Sequence, residues 1–111
     1  MAIKKIITVF DGATTTATSA AIATEGATTV YFQVEGTFTA FEAEVHGKVS
    51  TDCSDMVCVA VYDMTTGSAS ATIDITDTAI VKVDISGFET IEVEIKTLTG
   101  TDATVVAKFV D

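Results

Sequence analysis

Between Thr29 and Lys48, apolar and polar side chains alternate at every second position, and the same rhythm returns several times down the chain. Val30, Phe32 and Val34 are interleaved with Tyr31, Gln33 and Glu35; after Gly36 the pattern resumes, with Phe41, Ala43 and Val45 set against Glu42, Glu44, His46 and Lys48. A period of two sends successive side chains to opposite faces of an extended strand, leaving one greasy face and one wet, acidic face. The break at Gly36 predicts two strands joined as a β-hairpin. An isolated hairpin is marginal in water, so the apolar face requires a second sheet to cover it.

The rest of the chain repeats this grammar. Ile3–Phe10 predicts a first strand closed by Asp11-Gly12, and Ala13–Thr28 is a Thr/Ala-rich edge segment with a short strand at Ala20-Ala21-Ile22. Met56–Tyr62, apolar at consecutive positions, predicts a strand covered on both faces. Ala69–Thr76, Ala79–Ile85, Thr90–Leu98 and Thr104–Val110 alternate again, with Gly100–Asp102 predicted as a tight turn between the last two. Proline is absent and β-branched residues abound, which suits a pleated surface better than a helix. Eight to nine strands with turn signals about every 8–12 residues predict an all-β fold: a single antiparallel β-sandwich, jelly-roll or immunoglobulin-like, with little or no helix. Residues 1–111 form one domain, with residues 1–12 as a docking strand or arm.

Charge restricts the partners. Sixteen acidic residues face six lysines and no arginine, for a net charge of −10. Phosphate neutralisation and base reading both need cations, so nucleic acid is excluded as a partner, and an anionic membrane surface is disfavoured for the same reason. The lysines near the N-terminus are followed by no uninterrupted apolar stretch, so no secretory leader is expected. Synthesis in the cytoplasm is the expectation.

Chemistry-bearing residues are few. Glu42 with Glu44, and Glu92 with Glu94, share a strand face at about 7 Å, a spacing that overlaps that of inverting-glycosidase carboxylates. Without a tryptophan platform or a cleft, these read as a solvated face. His46, the only histidine, lies on that face with Glu44 and Lys48 in reach, but no nucleophile motif accompanies it and one histidine is a weak basis for a metal site. Cys53 and Cys58 lack the second ligand pair of a zinc site; a local disulfide and reduced thiols both remain open. Asp52 with Asp55, and Asp74 with Asp77, are turn clusters without the spacing of a calcium loop. The expectation is therefore no catalytic, cofactor or metal residues, and no enzyme activity.

Three pieces in order carry a resemblance: Thr29–Gly36 (ending Val-Glu-Gly), Thr37–Gly47 (with Phe-Glu-Ala-Glu-Val-His-Gly), and Ile80–Val110, with its Val-Asp-Ile-Ser-Gly-Phe corner before two closing strands. This order resembles small β-sandwich and jelly-roll proteins of tailed-bacteriophage virions, found as capsid decoration proteins, head-fibre bases and tail appendage modules. The chain departs from their pattern after Gly47, where Cys53 stands in place of an aromatic corner. The resemblance implies a structural virion protein, a capsid decoration protein on the outer capsid surface whose partners are the major capsid protein and copies of itself, a trimer being one form. The alternative it implies is a tail or head appendage, or a carbohydrate- or host-binding module. The docking element expected on physical grounds is Ile3, Lys4, Lys5, Ile6 and Ile7, the one adjacent basic pair in an acidic chain, on a strand able to add to a neighbour's sheet.

Overall fold

The computed structural model describes residues 2–111. Ten strands make one antiparallel sheet: β1 (Ile3–Ala13), β2 (Ala17–Thr18), β3 (Ile22–Ala23), β4 (Thr29–Lys48), β5 (Val57–Val59), β6 (Val61–Asp63), β7 (Ala69–Ser70), β8 (Ile73–Ile75), β9 (Ala79–Asp84) and β10 (Thr90–Val110). No helix is formed among the described residues. The all-β, sandwich-like architecture expected from the alternation is present, and the sheet does not close into a barrel.

Two strands run through the whole fold. β4 and β10 pair antiparallel from Thr29↔Val110 to Lys48↔Thr90. Their outer edges carry nearly everything else. One end of the pair is flanked by β1 on β10 and by β9 on β4, with β6 and β7 following β9 in turn. The other is flanked by β2 and β3 on β10 and by β5 and β8 on β4. We call these ends the upper and lower halves.

The predicted hairpin at Gly36 and tight turn at Gly100–Asp102 are not turns. Each lies inside a continuous strand, because the neighbouring long strand supplies ladder partners on both sides of the break. The pairing slips between Ile95 and Thr97, between Thr99 and Gly100, and between Gly100 and Asp102. Such bulges bend a sheet and sharpen its twist. Gly36 (φ 143°) and Gly100 (φ 145°) hold the bend with backbone that other residues rarely adopt. A Cβ on Gly36 would lie 2.5 Å from the Asp102 carbonyl oxygen, and one on Gly100 would overlap the Phe38 backbone.

The inward positions of β4 change parity across this bend, from Val30, Phe32 and Val34 to Phe41, Ala43 and Val45. Both sets join one buried cluster with Ile91, Val93, Ile95, Val105, Ala107 and Phe109 of β10 and Val81, Val83 and Ile85. The folded sheet thus covers its own apolar face.

Met56–Tyr62 is not the doubly covered strand predicted. β5 is an exposed edge, with Val57 at 63% exposure, and only Val61 of β6 is buried. The run crosses from the lower half, where β5 pairs with β4 alone, to the upper half, where β6 lies between β9 and β7.

Bend and core set the stability. Gly100→Ala is expected to cost about 1–3 kcal/mol through strained backbone, and Phe109→Ala about 3–5 kcal/mol through an unfilled cavity. Urea denaturation of the two variants against wild type checks both values.

Candidate functional site

The two outer faces of the folded sheet differ in chemistry. On the lower half, the β4–β10 register sets Glu92 opposite His46 and Glu94 opposite Glu44, while β5 sets Cys58 against the other side of His46. Alternation alone sends these side chains outward, since Val45, Ala43, Val93 and Ile95 occupy the buried positions between them. Three strands therefore bring a histidine, a thiol and three carboxylates to one spot.

His46 is only 18% exposed at its side chain and both ring nitrogens are engaged. Nε2 lies 3.0 Å from Glu44 Oε1 and 4.0 Å from Glu94 Oε1, and Nδ1 lies 3.3 Å from Glu92 Oε1. Burial disfavours its charged form, but the Glu44 and Glu92 carboxylates outweigh that and hold the imidazole above its ordinary value. Lys96 reaches Glu94 at 3.7 Å and partly offsets the negative charge. The Cys58 thiol is pushed up by burial and by Glu44, and its Sγ donates to the Ala71 carbonyl at 3.3 Å. Lys48, named from sequence as a neighbour of His46, instead donates to the Cys53 carbonyl at 3.2 Å. Cys53 and Cys58 are both free. The convergence of Cys58 on His46 was invisible in the sequence, because it depends on the pairing of β5 with β4.

The upper half presents the opposite surface. Its outward positions form a row from Ile6 through Lys108, Tyr31 and Lys82 to Tyr62, with Thr8, Val106, Gln33 and Ile80 beside it. Ile6, Tyr31, Gln33, Ile80, Val106 and Lys108 line one shallow depression. Ile3, Ile6 and Ile80 are 57%, 59% and 43% exposed. Lys82 sits 5.5 Å from the Tyr62 ring centroid.

The predicted docking residues divide between this face and the fold. Ile3 and Ile6 point outward, whereas Ile7 packs against the core. Lys4 pairs with Asp111 at 3.5 Å and Lys5 with Glu25 at 2.8 Å, with Lys5 also donating to the Ala23 carbonyl and lying 5.0 Å from the Phe109 ring centroid. The basic pair is thus occupied within the chain. Lys82 and Lys108 make no ion pair among the described residues and supply the positive charge of the outer face.

The turn aspartates serve the turns. Asp63 Oδ1 accepts from the Thr65 and Thr66 amides at 2.7 and 3.2 Å, and Asp77 Oδ1 from the Thr78 amide at 2.8 Å. Among the described residues, Glu44, His46 and Cys58 bring three candidate ligand atoms within 4.8 Å of one another.

No protein-family model matches the chain, and no curated protein matches it in sequence. Its fold is similar to that of the SPBc2 prophage-derived protein YomS, with a TM-score of 0.83 at 17% identity over 96% of this chain and 92% of that one. It is equally similar to part of the PBSX exported protein XepA, with a TM-score of 0.85 at 21% identity over 98% of this chain and 38% of XepA.

The His46 geometry has a pH signature. In the presence of a chelator, the His46 resonance is expected to titrate above about 6.5, and Glu92→Gln to bring the midpoint down. Because the folded value is raised, the stabilisation from these contacts is complete below about pH 6.5 and is lost as pH rises through the folded value. NMR titration checks the midpoint. Urea melts of wild type against His46→Gln check the sign, with the gap between them shrinking as pH rises.

Proposed function

We propose that this chain is a non-catalytic structural protein of a tailed-bacteriophage particle, a capsid decoration protein that docks on the outer surface of the shell. The observation that carries this reading is the segregation of its surface. An acidic chain keeps an outer face of exposed Ile3, Ile6, Ile80 and Tyr62 and half-buried Tyr31 with Lys82 and Lys108, and no strand among the described residues covers it. Apolar side chains interleaved with two lysines suit a protein partner with an acidic rim. β1 ends the sheet order, so its outer backbone edge is open to strand addition from the major capsid protein or from another protomer.

Two further points support a phage setting. The fold is shared with proteins described as prophage-derived and as a PBSX product. The net charge of −10 favours the outside of a DNA-filled head over its interior. The description of XepA as exported favours a second reading, an appendage or host-facing module that acts away from the capsid lattice.

Deleting residues 1–10 is a poor test, because β1 pairs with β10 and Ile7, Val9 and Phe10 pack on the core. Substitution of the outer face is cleaner. Gradient-purified particles are expected to carry the wild-type chain at one copy per lattice position. Ile6→Asp with Ile80→Asp is expected to fold normally by circular dichroism and to lose particle association by on the order of tenfold or more. A few copies at the tail would support the appendage reading, and complete absence from particles would overturn both.

A further inference from the structure

We propose that Glu44, His46 and Cys58 form a binding site for a zinc-class divalent transition-metal ion, with Glu92 orienting the histidine from behind. The site is independent of the docking reading, since it lies on the opposite half of the sheet.

One ligand atom from each of the three residues lies within 4.8 Å of the others, and Glu44 Oε1 already sits 3.0 Å from His46 Nε2. Donors around a tetrahedral zinc ion stand about 3.3–3.8 Å apart. The remaining gap is within reach of side-chain rotation, because Cys58 lies on a three-residue edge strand and is exposed. Imidazole, thiolate and carboxylate together match zinc, cobalt or nickel, not calcium or magnesium, which select oxygen ligands.

Two features beyond the ligand set point the same way. A metal-bound histidine characteristically donates its other ring N–H to a carboxylate, which fixes the tautomer and aims the coordinating nitrogen. Here Glu44 occupies the Nε2 side while Glu92 lies 3.3 Å from Nδ1, so Nε2 faces the ion and Nδ1–H is held by Glu92. In addition, Glu44 and Glu94 stand directly opposite one another across the β4–β10 ladder, a like-charge pairing that destabilises a sheet unless a cation relieves it. Lys96 reaches only Glu94. A divalent ion beside Glu44 relieves the rest, and Glu94, 4.0 Å from Nε2, flanks the position open to a fourth ligand. Binding deprotonates Cys58 and releases its proton to solvent. The bound ion ties the β5 edge and its preceding loop to the central strand β4.

The test is titration of the full chain, stripped with chelator and kept reduced, with Zn2+ and with Co2+ as a spectroscopic probe. One equivalent of Co2+ is expected to produce a thiolate-to-cobalt charge-transfer band and the intense visible bands of tetrahedral coordination. Cys58→Ser is expected to abolish the charge-transfer band. His46→Gln and Glu44→Gln are each expected to weaken Zn2+ binding by about tenfold or more, and Glu92→Gln to weaken it about 10–100-fold while keeping the band. Cys53→Ser, away from the cluster, is expected to bind as wild type does. Circular dichroism of each metal-free variant separates lost binding from lost folding. The proposal is overturned if no charge-transfer band forms, if Cys58→Ser retains it, or if folded His46→Gln binds Zn2+ like wild type.

Discussion

The antiparallel pairing of β4 with β10 is the interaction on which the rest of the structure depends. These strands contribute most of the buried cluster and offer their outer edges to six of the other eight strands, β6 reaching the sheet through β9 and β7 through β6. A straight ladder of that length would leave one apolar face open to water. Slips in register around Gly36 and Gly100 bend the pair, so one end of the apolar face closes over the other. The bend is tight enough that a Cβ at either glycine would run into the backbone of the opposing strand.

That same constraint arranges the surface. Inward residues of β4 and β10 send their neighbours to the outer face, so the outer face of each half is a direct product of the alternation. On the lower half it yields a carboxylate-rich patch around His46, closed at one edge by Cys58. On the upper half it yields Tyr31, Lys82, Lys108 and Tyr62 in one row, with Ile6 and Ile80 exposed beside them. The two faces differ in chemistry: a polar, carboxylate-rich cluster on one, and an exposed apolar surface with two lysines on the other.

Much of this was legible from residues alone. The inward sets Val30, Phe32, Val34 and Phe41, Ala43, Val45 were identified correctly, as was β9, with Val81 and Val83 facing the core. Glycine misled the reading at two places. Gly36 and Gly100 do interrupt the pattern, but a glycine that reverses a chain and one that lets two backbones touch look identical in sequence. The Met56–Tyr62 run misled it differently, because hydrophobicity suggested cover that an edge position does not provide. Lys4 and Lys5 looked like free cations until Asp111 and Glu25, distant in sequence, were found beside them.

By itself, then, the sequence determined the all-β class, the identity of the core face and the acidity of the chain, because strand periodicity and charge are local properties that need no partner to be expressed. Only the tertiary structure decided which strands are continuous, which lysines are free, and that Cys58 stands beside His46 with Glu44 and Glu92. Those depend on register between segments far apart in the chain. A shift of one residue in any of these pairings would send each of these side chains to the other face.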